Sequence, residues 1–264
     1  LTKKTIDTNI MPMNPNTPEL AQLLADMKVD VITTGAGSPS PYIQIWKEAG
    51  CKVVPVVASA ALAKRMERLG ADAVVAEGCE AGGHIGELTT MALTPSVCDA
   101  VSIPVITAGG VADGRGLVAA FALGGEGVQV GTRFLTAFEC GIHDAYKQKV
   151  IGAKDSDTIV TGRPSGHPVR QLKNRFARDV RKMEGDSDAS VDEIEQMLAG
   201  SLHRAVTGDV EMGSLMSGQV ACLVHDEKSA AQIVDDLMNE AYAWCGKNLT
   251  DMAAKNAERA WKEA

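Results

Sequence analysis

The sequence predicts an α/β fold assembled from parallel βα units, and three observations predict it. Short runs rich in Val and Ile, apolar on both faces, recur through the first half of the chain, as strands buried in a parallel sheet do. Amphipathic stretches of helical length lie between them. The runs repeat every 20–30 residues or so, roughly the length of one βα unit. Composition agrees: aromatic residues make up only 4%, while Ala, Gly and Val are plentiful, which favours tight β/α packing over an all-β sandwich.

Taken in order, strands are expected at 5–11, 30–34, 52–57, 73–77, 104–108 and 127–131. Helices are expected at 18–28, 40–49, 59–69, 89–100 and 113–123. Ser59 and Asp113 stand where N-caps belong, and Gly50, Gly70 and Gly124 stand where helices stop. A closed (β/α)8 barrel needs eight strands and this count reaches six. The expectation is therefore a TIM barrel lacking its first two βα units, or an open sheet. Beyond Thr132 the pattern changes. A helix is expected over 133–151, a loop over 161–166, a basic segment over 163–182 and an acidic polar stretch over 184–195. A small-residue loop follows at 213–219, then one or two amphipathic helices over 229–264. The domain reading places the partial barrel at 1–155 and 198–264, with 156–197 inserted on the substrate side.

A net charge of −8 makes general nucleic-acid binding a poor fit. The six cysteines form no C-x-x-C pair and no zinc spacing, so reduced thiols and no metal site are expected. No apolar run approaches the ~20 residues of a membrane span, and no leader pattern is visible, so a cytoplasmic enzyme is expected.

Three loops carry chemistry. Gly109 and Gly110 follow one predicted strand and precede a helix, and Gly131 and Thr132 follow the next strand. Glycines there let a phosphate reach backbone N–H groups at a helix N-terminus, although either pair alone also makes an ordinary tight turn. The third loop runs Glu77-Gly78-Cys79-Glu80-Ala81-Gly82-Gly83-His84-Ile85-Gly86. It places a histidine among glycines at a strand's C-terminal end, the catalytic side of such sheets. Imidazole there can hydrogen-bond or move a proton near neutral pH. The alternative is a surface histidine in a glycine-rich loop. His143, His203 and His225 read as surface or packing residues, and His167 stands out by lying in the 161–168 loop.

The 76–86 run, with 108–114 (Ala-Gly-Gly-Val-Ala-Asp-Gly) and 128–134 (Val-Gln-Val-Gly-Thr-Arg-Phe), resembles the enoyl-acyl-carrier-protein reductase II and nitronate monooxygenase superfamily. The stretch 158–174, with Gly166-His167-Pro168-Val169-Arg170 and Lys173-Asn174, resembles the reductase branch, as do 208–210 and 213–219. The resemblance implies an FMN enzyme on a (β/α)8 barrel, with a C-terminal extension over the flavin. It implies FMN contacts at Asn9, Glu77, Gly82, Gly83, Gly109, Gly110, Gln129, Gly131 and Thr132, with Ser214 and Met216 over the flavin. His84 would be the active-site histidine. Thr34 and Gly35, in a Thr-Thr-Gly-Ala-Gly strand end, would face the substrate.

The reaction so implied uses NADH or NADPH and FMN to reduce the trans-2-enoyl thioester of an acyl carrier protein, in a homodimer. His84 is the candidate donor to the thioester oxygen or the α-carbon. An acidic carrier needs a basic patch on an acidic enzyme. Residues 163–182 hold seven basic side chains against the one acid Asp179, and Arg170, Lys173 and Arg181 recur near helical spacing. A solvated helix face is the plainer account of the same charges. His167, Arg170 and Lys173 are the substrate or carrier candidates. The rival readings are a nitronate monooxygenase on the same FMN site, a sugar-phosphate isomerase, and a non-catalytic remnant.

Overall fold

The computed structural model describes residues 5–186 and 189–248. Ser187, Asp188 and the part of the predicted C-terminal helices over 249–264 lie outside the described residues. The chain divides into two compact units. One holds residues up to Cys79, with His84–Gly109 and Leu123–Gln129. The other holds Glu80–Gly83, Gly110–Ala122 and the chain from Val130 onward.

The first unit is an α/β structure on a six-stranded parallel sheet. Its strands are β1 (Asp7–Ile10), β2 (Val31–Thr34), β3 (Lys52–Val57), β4 (Val74–Glu77), β6 (Val105–Ala108) and β7 (Gly127–Gln129), paired in that order. The two-residue strand β5 (Gly83–His84) falls between β4 and β6 in the chain. All six predicted strands are present. Helices α1 (Thr17–Met27), α2 (Ile43–Glu48), α3 (Ala60–Arg68) and α4 (Thr90–Cys98) follow β1 to β5. The core is aliphatic: Ile32, Val53, Val57, Val74 and Val105 meet Leu24, Met66 and Leu93. Trp46 is fully buried, and its indole N–H donates to the Ala21 carbonyl at 3.0 Å, which ties α2 to α1. The predicted cap holds too: Ser59 Oγ accepts from Leu62 N at 3.2 Å. The predicted stops Gly50, Gly70 and Gly124 sit at φ 89°, 96° and 97°, where a side chain is strained.

In the second unit α5 (Gly114–Ala122) packs along α10 (Ala230–Ala243), and the Glu240 carboxylate accepts from Gly114 N at 2.9 Å. The approach is close enough that a Cβ on Gly114 would sit 2.4 Å from Ala241 N. The single helix expected over 133–151 is replaced by a short 3-10 turn (Thr132–Thr136) and α6 (Asp144–Ile151). The break has a cause: Ala137 leaves helical geometry to form a bridge with Lys228, and its carbonyl accepts from the buried Lys147 ammonium at 2.8 Å.

The basic segment is also not one helix. Residues Thr158–Thr161 (β8) and Val169–Leu172 (β9) form an antiparallel hairpin, and α7 starts only at Arg175. Pro164, Gly166 and Pro168 exclude helix before that point. Arg170, Lys173 and Arg181 therefore share no helical face. Arg170 sits on β9 at 8% exposure, its guanidinium donating to Thr158 Oγ1 at 3.2 Å, so it is no docking group. The exposed basic face is that of α7 (Arg175–Glu184), which buries Phe176, Ala177 and Val180 and turns Arg175, Arg178 and Lys182 outward. The acidic stretch conceals α8 (Val191–Leu198), opened by a Ser190–Glu193 capping box, and α9 (Ser201–Val206) follows. No helix of the described residues is long and apolar enough to cross a membrane.

Asn174 is the keystone of this region. Its Oδ1 accepts from Ala177 N at 2.8 Å, and its Nδ2 donates to the carbonyls of Val210 and Gly213, each at 2.8 Å. It is 3% exposed. Asn174→Ala is expected to cost about 2–4 kcal/mol, because it strips a cap and leaves two carbonyls underbonded. Chemical denaturation checks this, and a loss below about 0.5 kcal/mol would contradict it.

Candidate active site

In the first unit the predicted residues gather at the C-terminal ends of the parallel strands. Register aligns Glu77 with Ala108 and Ala108 with Gln129 across β4, β6 and β7. On the other side, Asn9 pairs with Thr33 and Ile10 with Thr34. Thr33 Oγ1 donates to Asn9 Oδ1 at 3.1 Å. Among the described residues, the buried Thr34 hydroxyl has no hydrogen-bond partner and a Cβ on the adjacent Gly35 would meet no atom within 4 Å.

A cavity of about 330 Å³ opens in this unit. Its walls are mostly apolar, from Val56, Ala58, Leu62 and Ile85, and three polar residues, Ser38, Glu77 and His84, reach it. The loop carrying His84 is closed at its base: Gly78 N donates to Ala108 O at 3.0 Å, and Cys79 N to Leu88 O at 2.8 Å. Gly86 lets that loop lie against β3's end, since a Cβ there would fall 2.6 Å from Ala58 Cβ. Thr90 Oγ1 donates to Gly109 O at 2.9 Å, and Gly109 itself sits at φ 85°. Ala58 and Leu62 were not legible as site residues, because nothing in their local pattern separates them from packing.

Burial pushes the Glu77 carboxyl up to about 7. Its folded pKa lies above the unfolded value of about 4.5, so it lends stability below pH 4.5 or so that fades as pH rises through 7 or so. Glu77→Gln is accordingly expected to gain up to about 3 kcal/mol over the native protein at pH 8, and much less at pH 5. Thermal melts at both pH values test this; an equal change at both would remove the titration from the account.

In the second unit the 213–219 loop is held from several sides. Gly213 O accepts from Asn174, Leu215 O from Leu172 N at 2.9 Å, and Met216 O from the Tyr146 hydroxyl at 2.8 Å. Gly218 N donates to Thr132 Oγ1 at 2.8 Å, and Gln219 N to Glu80 O at 2.9 Å. A Cβ on Gly82 would lie 2.7 Å from Ser217 C and Gly218 N, so these backbones touch. Predicted residues Gly82, Gly83, Thr132, Ser214 and Met216 thus belong to one locally ordered cluster. Ser214 is buried, whereas Gly131 is exposed, with open space where a Cβ would stand. His167 and Lys173 lie exposed, at the hairpin turn and just beyond β9. Tyr146 and Leu172 support the loop but carried no sequence signal, one being an ordinary helix aromatic and the other an ordinary strand residue.

Comparison with known proteins places this geometry in context. A family model for nitronate monooxygenase matches residues 6–240. FabK from Thermotoga maritima is 48% identical with a TM-score of 0.91, covering 94% of this chain and 79% of that one. The nitroalkane oxidase from Streptomyces ansochromogenes is 25% identical with a TM-score of 0.75, covering 91% of this chain and 81% of its own. A probable nitronate monooxygenase from Staphylococcus aureus is 38% identical over 217 residues, which is 77% of this chain. The chain spans 60% of that curated relative's length. With the model match running from β1 into α10, the chain belongs to the nitronate monooxygenase family.

Proposed function

We propose that the protein is an FMN-dependent oxidoreductase on a (β/α)8 framework that reduces trans-2-enoyl thioesters with NADH or NADPH. The observation that carries the reading is the apolar-walled cavity with His84 and Glu77 at the C-terminal ends of a parallel sheet. The 48% identity to FabK favours the reductase branch, which the 158–174 stretch also resembles.

The residues present fit FMN. Gly83, Gly109 and Gly110 have φ of 77°, 85° and 77°, which only glycine holds without strain, and Gly131 leaves its backbone open. Within the second unit Gly82, Gly83, Gly110, Gly131, Thr132, Ser214 and Met216 would hold the cofactor. Asn9, Glu77, Gly109 and Gln129 are the contacts that the resemblance implies for the first unit. FMN when bound supplies hydride transfer from the nicotinamide to the β-carbon of the enoyl group. The chain's own residues do the rest. His84 donates to the thioester oxygen, where charge accumulates, or delivers the α-carbon proton. Glu77, held largely neutral below pH 7 or so, adds little charge to the cavity. Val56, Ala58 and Leu62 exclude water from the acyl group, with Thr34 and Gly35 on the substrate side.

An acidic acyl carrier protein would dock on the α7 face through Arg175, Arg178 and Lys182, with Lys173 and His167 as flanking candidates. Charge reversal at Arg178 and Lys182 is expected to raise KM for carrier-bound substrate severalfold and to leave KM for the matching CoA thioester within about twofold. Equal effects on both substrates would remove the patch from the account.

The nitronate monooxygenase reading is favoured by the family model and by the curated relatives' names. Assay separates the two. Crotonyl-thioester-dependent oxidation of NADH supports the reductase; nitronate-dependent O2 uptake without it supports the monooxygenase.

A further inference from the structure

We propose that Tyr146 is the positioning residue for Met216: its phenol holds the Met216 carbonyl and seats the 213–219 loop before any cofactor arrives. The proposal rests on the flavin reading above, in which Met216 is a cofactor contact.

Tyr146, on α6, is 1% exposed and packs in an apolar cluster with Val150, Leu172, Leu215 and Val224. Its hydroxyl donates to Met216 O at 2.8 Å. A phenylalanine would fill the same space, so the hydroxyl contributes that bond together with a polar contact to the Ser217 side chain of the same loop. Burial raises the phenol far above its ordinary pKa, so it remains a donor at any working pH.

The other tethers of the loop fall on either side of Met216. Asn174 and Leu172 hold Gly213 and Leu215, and Thr132 and Glu80 hold Gly218 and Gln219. The Met216 backbone has two bonds: its N–H donates to Ser214 O at 3.0 Å, and its carbonyl accepts from Tyr146. The first stays within the loop and cannot fix the loop's place. The second anchors the residue to a helix. The Met216 sulfur lies 3.6 Å from the position a Cβ on Gly83 would take, so the side chain runs along the Gly83 backbone. Releasing the carbonyl lets the peptide turn and carries the sulfur off that backbone.

Two measurements test this. The first is FMN affinity, by flavin fluorescence, in the native chain, Tyr146→Phe, Met216→Ala and the double variant. Tyr146→Phe is expected to weaken binding by about five- to tenfold with Met216 present, and by less than about twofold in the Met216→Ala background. Equal losses in both backgrounds would overturn the proposal, because a merely structural tyrosine would act regardless of Met216. The second is hydrogen exchange over 213–219 without FMN, expected to be slow in the native chain and faster in Tyr146→Phe. No difference between the two, or fast exchange in the native chain, would overturn the preformed seat, and the latter result needs no variant to fold. If the native chain binds no FMN, the flavin reading fails while the exchange comparison still decides the tether.

Discussion

Replacing His84 by alanine is expected to lower kcat for enoyl-thioester reduction by about a hundred- to a thousandfold, while FMN affinity changes by less than about threefold. The first magnitude is that of removing one well-placed donor from a developing oxyanion. The asymmetry follows from position. His84 reaches a cavity whose other walls are mainly aliphatic, so a polar group of the reaction meets few substitutes there. The backbone of its loop is fixed independently of the imidazole, through Gly78 N to Ala108 O and Cys79 N to Leu88 O. Truncating the side chain therefore leaves the loop in place. Steady-state kinetics beside a flavin titration measures both numbers. Unchanged turnover would take His84 out of the mechanism, and a parallel loss of FMN would make it a binding residue.

Gly82→Ala is expected to be a strongly damaging single-methyl change near the site. The new carbon would lie 2.7–2.8 Å from backbone atoms of Ser217 and Gly218. Backbone cannot swing aside as a side-chain tip does, so either the 80–83 segment or the 213–219 loop must move. The loop is pinned by bonds to Thr132, Tyr146 and Glu80, and moving it breaks several at once. Overpacking of this kind costs about 1–3 kcal/mol. The loss of aligned loop contacts is expected to weaken FMN binding by at least about tenfold. Gly141→Ala is the control, since a Cβ there meets nothing within 4 Å and the residue has no part in the cofactor site. A melt and a flavin titration on both variants check this; a Gly82→Ala protein indistinguishable from native would contradict the packing described.

The sheet was legible because its strands are short apolar runs bounded by glycines and caps. Ser59 and the left-handed Gly50, Gly70 and Gly124 did in the structure what their residue types require. What the sequence hid depends on contacts distant in the chain. The Ala137 bridge to Lys228 breaks an otherwise helical pattern. The basic composition of 163–182 drew attention to charge, whereas Val169–Leu172 is a buried strand in which Arg170 points inward. The Ser190–Glu193 box has the plain Ser-x-x-Glu spacing of a helix start, but it lies within a run of acidic residues that reads as solvated chain. At the site, the glycine motifs and His84 marked themselves by type and spacing. Tyr146, Leu172 and Ala58 act through tertiary placement, and no local rule selects them.

The most direct test of the central claim is a visible absorption spectrum of the purified protein, recorded anaerobically before and after NADH, then after crotonyl-CoA. The account predicts flavin bands that bleach with NADH and return with the thioester. Flavin bands that NADH leaves unchanged would contradict the reductase reading and favour nitronate oxidation, and a protein that takes up no flavin even from added FMN would contradict the flavin site itself.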